Sequence, residues 1–226
     1  PPRSEPSDRA VSSTPRRRRG DGTAPGARAS DARGPGAVAV GGPFPAAFYD
    51  RDPRRVARDL LGAVLEHRSP DGVVRGRIVE TEAYLGADDP ACHAVVGRTR
   101  RTWHLFGPPG RAYVYRIYGM YWCFNAVTLA EGIGSAALVR AVEPLDGLPL
   151  MRRRRPRAAT DRELTSGPSK LCAAFGIDAA LDGASLQDGP IVVCAGDVVP
   201  DDTVVVTPRI GLTRGAELPY RYLVDG

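Results

Sequence analysis

The sequence predicts an α+β domain with a curved, largely antiparallel β-sheet, flanking helices and a protruding β-hairpin. Three observations predict it. Segments rich in β-branched and aromatic residues outnumber helical ones. They do not alternate regularly with helices, as a parallel sheet requires. Two pairs of them are joined by short turns, which makes hairpins.

The elements follow in chain order from Pro43. Asp52-Pro53 starts a helix, with a capping carboxylate followed by proline at the first turn. Val56, Leu60 and Leu61 sit at helical spacing and Gly62 stops the helix. Ala63–Arg68 reads as a strand, Ser69-Pro70-Asp71-Gly72 as a turn, and Val73–Tyr84 as a longer strand. Asp89-Pro90 opens a short helical turn carrying His93, Arg98–Arg101 is a basic loop, and Gly107-Pro108-Pro109-Gly110 is a hard turn. The stretch RAYVYRIYGMYWCFNAVTL, residues 111–129, is a second hairpin broken at Tyr118-Gly119-Met120. Ser135–Glu143 is a strand and Pro144–Arg155 a helix ending in a basic cluster. Ser166-Gly167-Pro168 begins a helix that Gly176 closes. Ile191–Cys194, Thr203–Thr207 and Tyr220–Val224 are strands.

At 226 residues the chain accommodates one ordinary domain and a tail. Residues 1–42 are rich in Pro, Gly, Ser, Ala and Arg and have neither aromatics nor periodicity. Such a segment cannot offset its ordering entropy with buried apolar area, so disorder is expected. It carries 8 Arg against Glu5, Asp8, Asp21 and Asp31, and its Arg16–Arg19 run either adds non-specific attraction to phosphate or belongs to a solvated tail with no specific role. The remainder holds 23 basic and 22 acidic residues, so any nucleic-acid surface on the domain is a local patch. No apolar run approaches the ~18 residues of a transmembrane helix, and no signal-peptide core follows the basic start. Cys92, Cys123, Cys172 and Cys194 lie far apart with no CxxC pair, as expected of free thiols in a reducing compartment. A zinc site on Cys92, His93 and a distant cysteine is the disfavoured alternative, given the spacings structural zinc uses. Lys170 is the one lysine in the chain.

The strand RIVETEAYLG, residues 77–86, carries two carboxylates in an apolar setting. A two-residue period puts Ile78, Glu80, Glu82 and Tyr84 on one face and Val79, Thr81, Ala83 and Leu85 on the other. Glu80 and Glu82 then stand roughly 6.5–7 Å apart. Inverting glycosidases separate their carboxylates by about 6.5–9.5 Å, but across the scissile bond, which neighbours on one strand face cannot do. From the residues alone, an exposed charged face and a working carboxylate walled by Tyr84 both stay open. The second hairpin crowds Tyr113, Tyr115, Tyr118, Tyr121 and Trp122 together. An aromatic wedge at its tip can occupy the space an extruded nucleotide leaves; Tyr118 packed on a neighbouring loop is the alternative. Tyr115 either stacks a base or belongs to the core.

Taken together, VETEAYLG, Asp88-Asp89-Pro90 with His93, Gly97-Arg98-Thr99, FGPPG, YVYRIYGMYWCFN, ALVRAVEPLDGL and SGPSKLCAAFGI resemble the alkyladenine (3-methyladenine) DNA glycosylase family, from about Pro43 to Tyr222. The resemblance implies a monofunctional DNA-repair enzyme, without metal or cofactor. It would act as a monomer on double-stranded DNA in the cytoplasm, at the nucleoid. It would flip alkylated or deaminated purines out of the duplex and hydrolyse the N-glycosidic bond with a Glu-activated water, leaving an abasic site. By the same resemblance the catalytic glutamate falls on Glu82, its arginine on Arg140, and the carbonyl that helps hold the water on Ile210. Base-stacking and pocket residues fall on Tyr84, His93 and Tyr115, with Asn125 discriminating against amino groups of the guanine type. The intercalating tyrosine falls on Tyr118, with Met120 beside it in the groove. Arg98, Arg100 and Arg101 are candidate phosphate contacts, and Lys170 a phosphate or structural contact at a helix N-terminus rather than a Schiff-base nucleophile. Glu80 is expected to be strand-face scaffolding.

The sequence departs from the family's pattern at three places. Arg100 stands where the family usually has proline, Trp103-His104 fills a variable stretch of the same loop, and the chain ends at Gly226, where relatives usually continue. DNA contact by that loop and substrate range are what these departures touch. Two rivals are a non-catalytic damaged-DNA-binding protein on the same scaffold and a carbohydrate glycosidase using Glu80 and Glu82. Retention of both Glu82 and Arg140 speaks against the first; the aromatic hairpin tip and near-neutral body speak against the second.

Overall fold

A computed structural model describes residues 40–224, so most of the tail assigned to residues 1–42 lies outside the described residues. Gly41 and Gly42 already belong to the fold: the Gly41 amide donates to the Ala195 carbonyl at 2.7 Å and the Ala195 amide to the Gly42 carbonyl at 3.0 Å.

Two short helices open the domain, α1 (Ala46–Tyr49) and α2 (Pro53–Asp59). Asp52 caps α2 as its position before Pro53 predicts, its carboxylate accepting the Arg54 amide at 2.8 Å. Gly62 follows with a φ of +83°; a Cβ there would meet the Asp197 carbonyl oxygen at 2.1 Å, so only glycine fits. The first hairpin is β1 (Val64–Ser69) and β2 (Gly72–Tyr84), the second β3 (Ala112–Ile117) and β4 (Tyr121–Thr128). Then come β5 (Ser135–Asp146), α3 (Leu148–Arg154), α4 (Asp161–Thr165), α5 (Pro168–Phe175), β6 (Ile191–Cys194), β7 (Val204–Thr207) and β8 (Arg221–Val224). Single 3₁₀ turns cover His93–Val96 and Trp103–Phe106.

All eight strands join one antiparallel sheet, six of them in the order β3-β4-β5-β2-β1-β6 and the β7–β8 pair branching from β2, so the expected α+β architecture is present. The thirteen residues of β2 form its spine. One edge of β2 pairs with β5 along its length; the other pairs first with β1 and then, at Glu80–Glu82, with β8, which also pairs β7. One face of the sheet carries the main core, where Val56 and Leu60 of α2, Met151 of α3, and Leu171 and Phe175 of α5 pack on Ile78, Ala83, Phe124 and Val139. The other face carries a smaller apolar cluster of Cys92, Leu105, Phe106, Tyr113, Val127 and Ala136, with Tyr84 and Tyr115 against it.

Two assignments along the chain change. The helix placed at Pro144–Arg155 begins only at Leu148, because Pro144 stays in β5 opposite Gly76. The pairing there is irregular, jumping from Asp146 opposite Arg75 to Pro144, and a bulge tolerates a residue that has no amide to donate. Helix α4 is additional. Its signal was present in Thr160-Asp161-Arg162-Glu163, a capping box: Thr160 Oγ1 accepts the Glu163 amide at 3.2 Å, and Glu163 Oε2 accepts the Ala159 amide at 2.8 Å.

Candidate active site

The two-residue period of RIVETEAYLG fails at one point, and that failure builds the site. Along β2 and β5, Ile78 faces Val142, Glu80 faces Ala141, and Thr81 faces Val139, so Val79 and Arg140 have no partner opposite. Ile78 therefore joins the main core with Ala83, while Thr81 Oγ1 donates to the Ala57 carbonyl of α2 at 2.7 Å. Glu80, Glu82, Tyr84 and Arg140 turn to the opposite face. The expectation that Ile78 shares a face with the glutamates is thus corrected, since an extra residue reverses strand alternation.

Glu82 is completely buried, and every contact to its carboxylate is a donor. Oε1 accepts the Ile210 amide at 2.9 Å and lies 3.1 Å from Arg140 Nη1; Oε2 accepts the Tyr84 hydroxyl at 2.8 Å. Burial, then the charge of Glu82, pushes the Tyr84 hydroxyl well above the usual phenol range, so it stays protonated and donating. Burial works against the charge of Arg140, but Glu82 and Glu80 outweigh it and hold that pKa above the ordinary arginine value. Ile210 thus touches the carboxylate through its amide, a contact separate from the water-holding role that the resemblance gave its carbonyl.

A second ion pair, missed in the sequence, lies beneath this one. Arg209 is buried and binds Asp89 with both ends of its guanidinium, Nη1 to Oδ2 at 2.5 Å and Nη2 to Oδ1 at 2.8 Å. It also donates to the carbonyls of Ala83 at 2.9 Å and Gly215 at 3.2 Å. Its guanidinium carbon stands 4.8 Å from the centre of the Tyr84 ring and 5.3 Å from that of Tyr220. Asp89 in turn accepts the Leu85 and Ala91 amides, each at 3.1 Å. Arg209 thereby fixes two of the three donors to Glu82, the adjacent Ile210 amide and the Tyr84 ring. The sequence signal was weak: an arginine 120 residues from its partner leaves no local pattern.

Beyond Tyr84 the same face is aromatic. His93 packs edge-on against Tyr115 with ring centres 4.4 Å apart, and its Nδ1 lies 2.9 Å from the Tyr113 hydroxyl. Burial, then the nearby charge of Arg101, lowers the His93 pKa and favours the neutral ring. Asn125 is buried opposite Tyr113, its amide nitrogen donating to the Tyr113 carbonyl at 3.0 Å. At the hairpin tip Tyr118 is 80% exposed and Met120 65%, so Tyr118 is not packed on a neighbouring loop. Tyr118 and Gly119 have φ of 53° and 71°, and the Met120 amide donates to the Ile117 carbonyl at 3.2 Å, which makes the mirror-image turn favoured in hairpins.

The basic candidates divide. Arg98 donates to the Phe106 carbonyl at 3.1 Å and stacks 5.1 Å from Trp103. Arg101 donates to the Arg116 carbonyl at 3.1 Å and stands 5.6 Å from the Tyr115 ring centre, and Arg100 is exposed. Lys170, at the start of α5, donates to Ser166 Oγ at 3.3 Å and joins none of the contacts around Glu82. Cys92 points its thiol at the Gly134 carbonyl, and the described residues hold no group of three or more His, Cys, Asp or Glu suited to a metal ion. All four cysteines are buried free thiols, and no described helix is long and apolar enough to cross a membrane.

Comparisons with known proteins bear on this arrangement. The model of the family described as methylpurine-DNA glycosylase (MPG) matches residues 47–226. A provisionally named 3-methyladenine DNA glycosylase of Methanoculleus marisnigri is 50% identical over 187 residues, covering 80% of this chain and 95% of the relative. Proteins of the same provisional name are 52% identical in Rubrobacter xylanophilus, covering 74% of this chain and 86% of the relative, and 46% identical in Carboxydothermus hydrogenoformans, covering 79% and 93%. An α+β sheet with a sealed carboxylate beside an aromatic wall, and relatives of these names, define the class: DNA glycosylases of base excision repair. The chain belongs to the methylpurine-DNA glycosylase family.

Proposed function

We propose that this protein, acting as a monomer, hydrolyses the N-glycosidic bond of alkylated or deaminated purines flipped out of duplex DNA, with Glu82 activating the water. The observation that carries the proposal is Glu82 itself, buried among three fixed donors, with Tyr84 beside it and the aromatic face of His93 and Tyr115 beyond. Water attacks C1′ of the extruded nucleotide while the C1′–N bond breaks. The base leaves with the bonding electrons, and the water proton passes to Glu82. The carboxylate also opposes the positive charge growing on the sugar, and general-base help of this kind is typically worth about 10²–10⁴-fold. Tyr84, His93 and Tyr115 stack the base, Asn125 discriminates against amino groups of the guanine type, and Ile210 helps to position the water. No amine is needed, so Lys170 serves as a phosphate or structural contact.

Tyr118, with Met120, fills the gap in the duplex and offsets the few kcal/mol of unstacking. Arg98, Arg100 and Arg101 contact phosphates of the same DNA. Tyr118→Ser weakens flipping and leaves thermal stability nearly unchanged, because the side chain is 80% exposed and packs on no neighbouring loop. The fluorescence of a base analogue opposite the lesion reports this; an unchanged signal removes Tyr118 from the flipping step.

The test of the function is direct. Duplex oligonucleotides carrying hypoxanthine, ethenoadenine or 7-methylguanine are incubated with the protein and abasic sites are cleaved with alkali. Strand scission with at least one lesion is expected. Tight binding without scission at any lesion is the result of a non-catalytic damage-binding protein. The carbohydrate reading is disfavoured by Glu80, whose carboxylate is held by two arginines and is not free to face a sugar.

A further inference from the structure

Glu80 is not ordinary strand-face charge. Its Oε1 accepts Arg140 Nε at 2.8 Å and Arg221 Nε at 2.6 Å, and all three side chains are largely buried. Arg221, from β8, also donates from Nη1 to Thr207 Oγ1 at 3.0 Å, at the end of β7 and just before the segment carrying Arg209 and Ile210. Glu80 thus joins β2, β5 and β8 at the point where the β2–β5 register breaks.

The geometry points to Glu80 as a positioning residue that keeps Arg140 end-on to Glu82. An arginine beside a buried carboxylate tends to bind it through two parallel hydrogen bonds. Here Nη1 stands 3.1 Å from Glu82 Oε1, while Nε is turned away to Glu80. A two-point pair beside the Tyr84 hydroxyl and the Ile210 amide would take up all of the roughly four acceptor sites of Glu82 and leave none for a water. Holding Nε aside gives Glu82 a cation for stabilisation without capping it. Arg221 completes the balance: two carboxylates and two guanidiniums close the cluster at zero net charge, and Glu80 keeps a cation when Arg140 responds to substrate. This inference rests on the proposed hydrolytic role of Glu82.

Two measurements decide it. In single-turnover excision, Glu80→Ala is expected to slow the reaction about 10–100-fold, the scale of a small misplacement near reacting groups, with duplex affinity unchanged. In an Arg140→Ala background, Glu80→Ala has no further effect, because Glu80 acts through Arg140. Glu80→Gln keeps an acceptor while losing the charge, and restores part of the rate. An equal loss in both backgrounds means that Glu80 only supports the fold, and overturns the inference. Independently of excision, ¹⁵N spectra of the arginine side chains, assigned with Arg140→Lys and Arg221→Lys, should show exchange-protected Nε–H signals for both residues. Protection at Arg140 is lost in Glu80→Ala; retained protection overturns the positioning role by itself. A wild-type protein that excises nothing sinks the glycosylase reading instead, and the spectra still decide whether Glu80 orients Arg140.

Discussion

Glu82→Gln is expected to abolish excision while duplex binding persists. Glutamine has the same shape and keeps a carbonyl oxygen to accept the Ile210 amide and Arg140, so the local fold is preserved. Its amide cannot take a proton from water, and it offers no negative charge to the developing oxocarbenium sugar. The general-base contribution alone is about 10²–10⁴-fold, or roughly 3–5 kcal/mol of transition-state stabilisation. Arg140 stays paired with Glu80 in this variant, so the substitution does not strand a buried cation. The measurement is a single-turnover rate on a hypoxanthine duplex beside a binding titration of the same duplex. Excision at the wild-type rate would remove Glu82 from the chemistry.

Asp89→Ala destabilises the whole domain and disables the site with it. The substitution leaves Arg209 buried and charged without its partner, a loss of about 3–5 kcal/mol. For a domain of this size that corresponds to a fall of about 6–20 °C in Tm. It also frees the Leu85 and Ala91 amides from their acceptor. Burial raises the pKa of Asp89, but the hydrogen bonds and charge of Arg209, with the two backbone amides, outweigh it and hold the carboxyl below its ordinary value. A carboxyl depressed in the folded state contributes stability above its unfolded pKa of about 3.9. That contribution is lost as pH falls through the folded value. Wild-type stability should therefore drop below about pH 4, and the drop should be shallower in a paired Asp89→Leu/Arg209→Met variant, which buries neither charge. Thermal melts from pH 3 to 7 measure both; a melt of Asp89→Ala within a degree or so of wild type would show that the pair carries little.

The extent of legibility follows from the range of each interaction. Helix α2 was readable because its cap, its proline and its stopping glycine lie within ten residues. Both hairpins were readable for the same reason, since turn chemistry and alternation are local. Helix α4 carried a capping box that four residues spell out, whereas the late start of α3 depended on whether Pro144 could remain in a bulged strand. The likeness to a glycosylase family also resided in short motifs, and the match over residues 47–226 accords with it.

By itself the sequence determined the α+β class, the order of nearly every element, the aromatic hairpin tip and the family. Those features are set by propensities, caps and turns that act over a few residues. Tertiary structure alone decided which side of the sheet each glutamate faces, through a register break between two strands some sixty residues apart. It alone brought Arg209 to Asp89, the Ile210 amide to Glu82, and Arg221 to Glu80. Charged groups sealed from water must find partners wherever the fold supplies them, so such contacts depend on distance in space and leave no spacing along the chain.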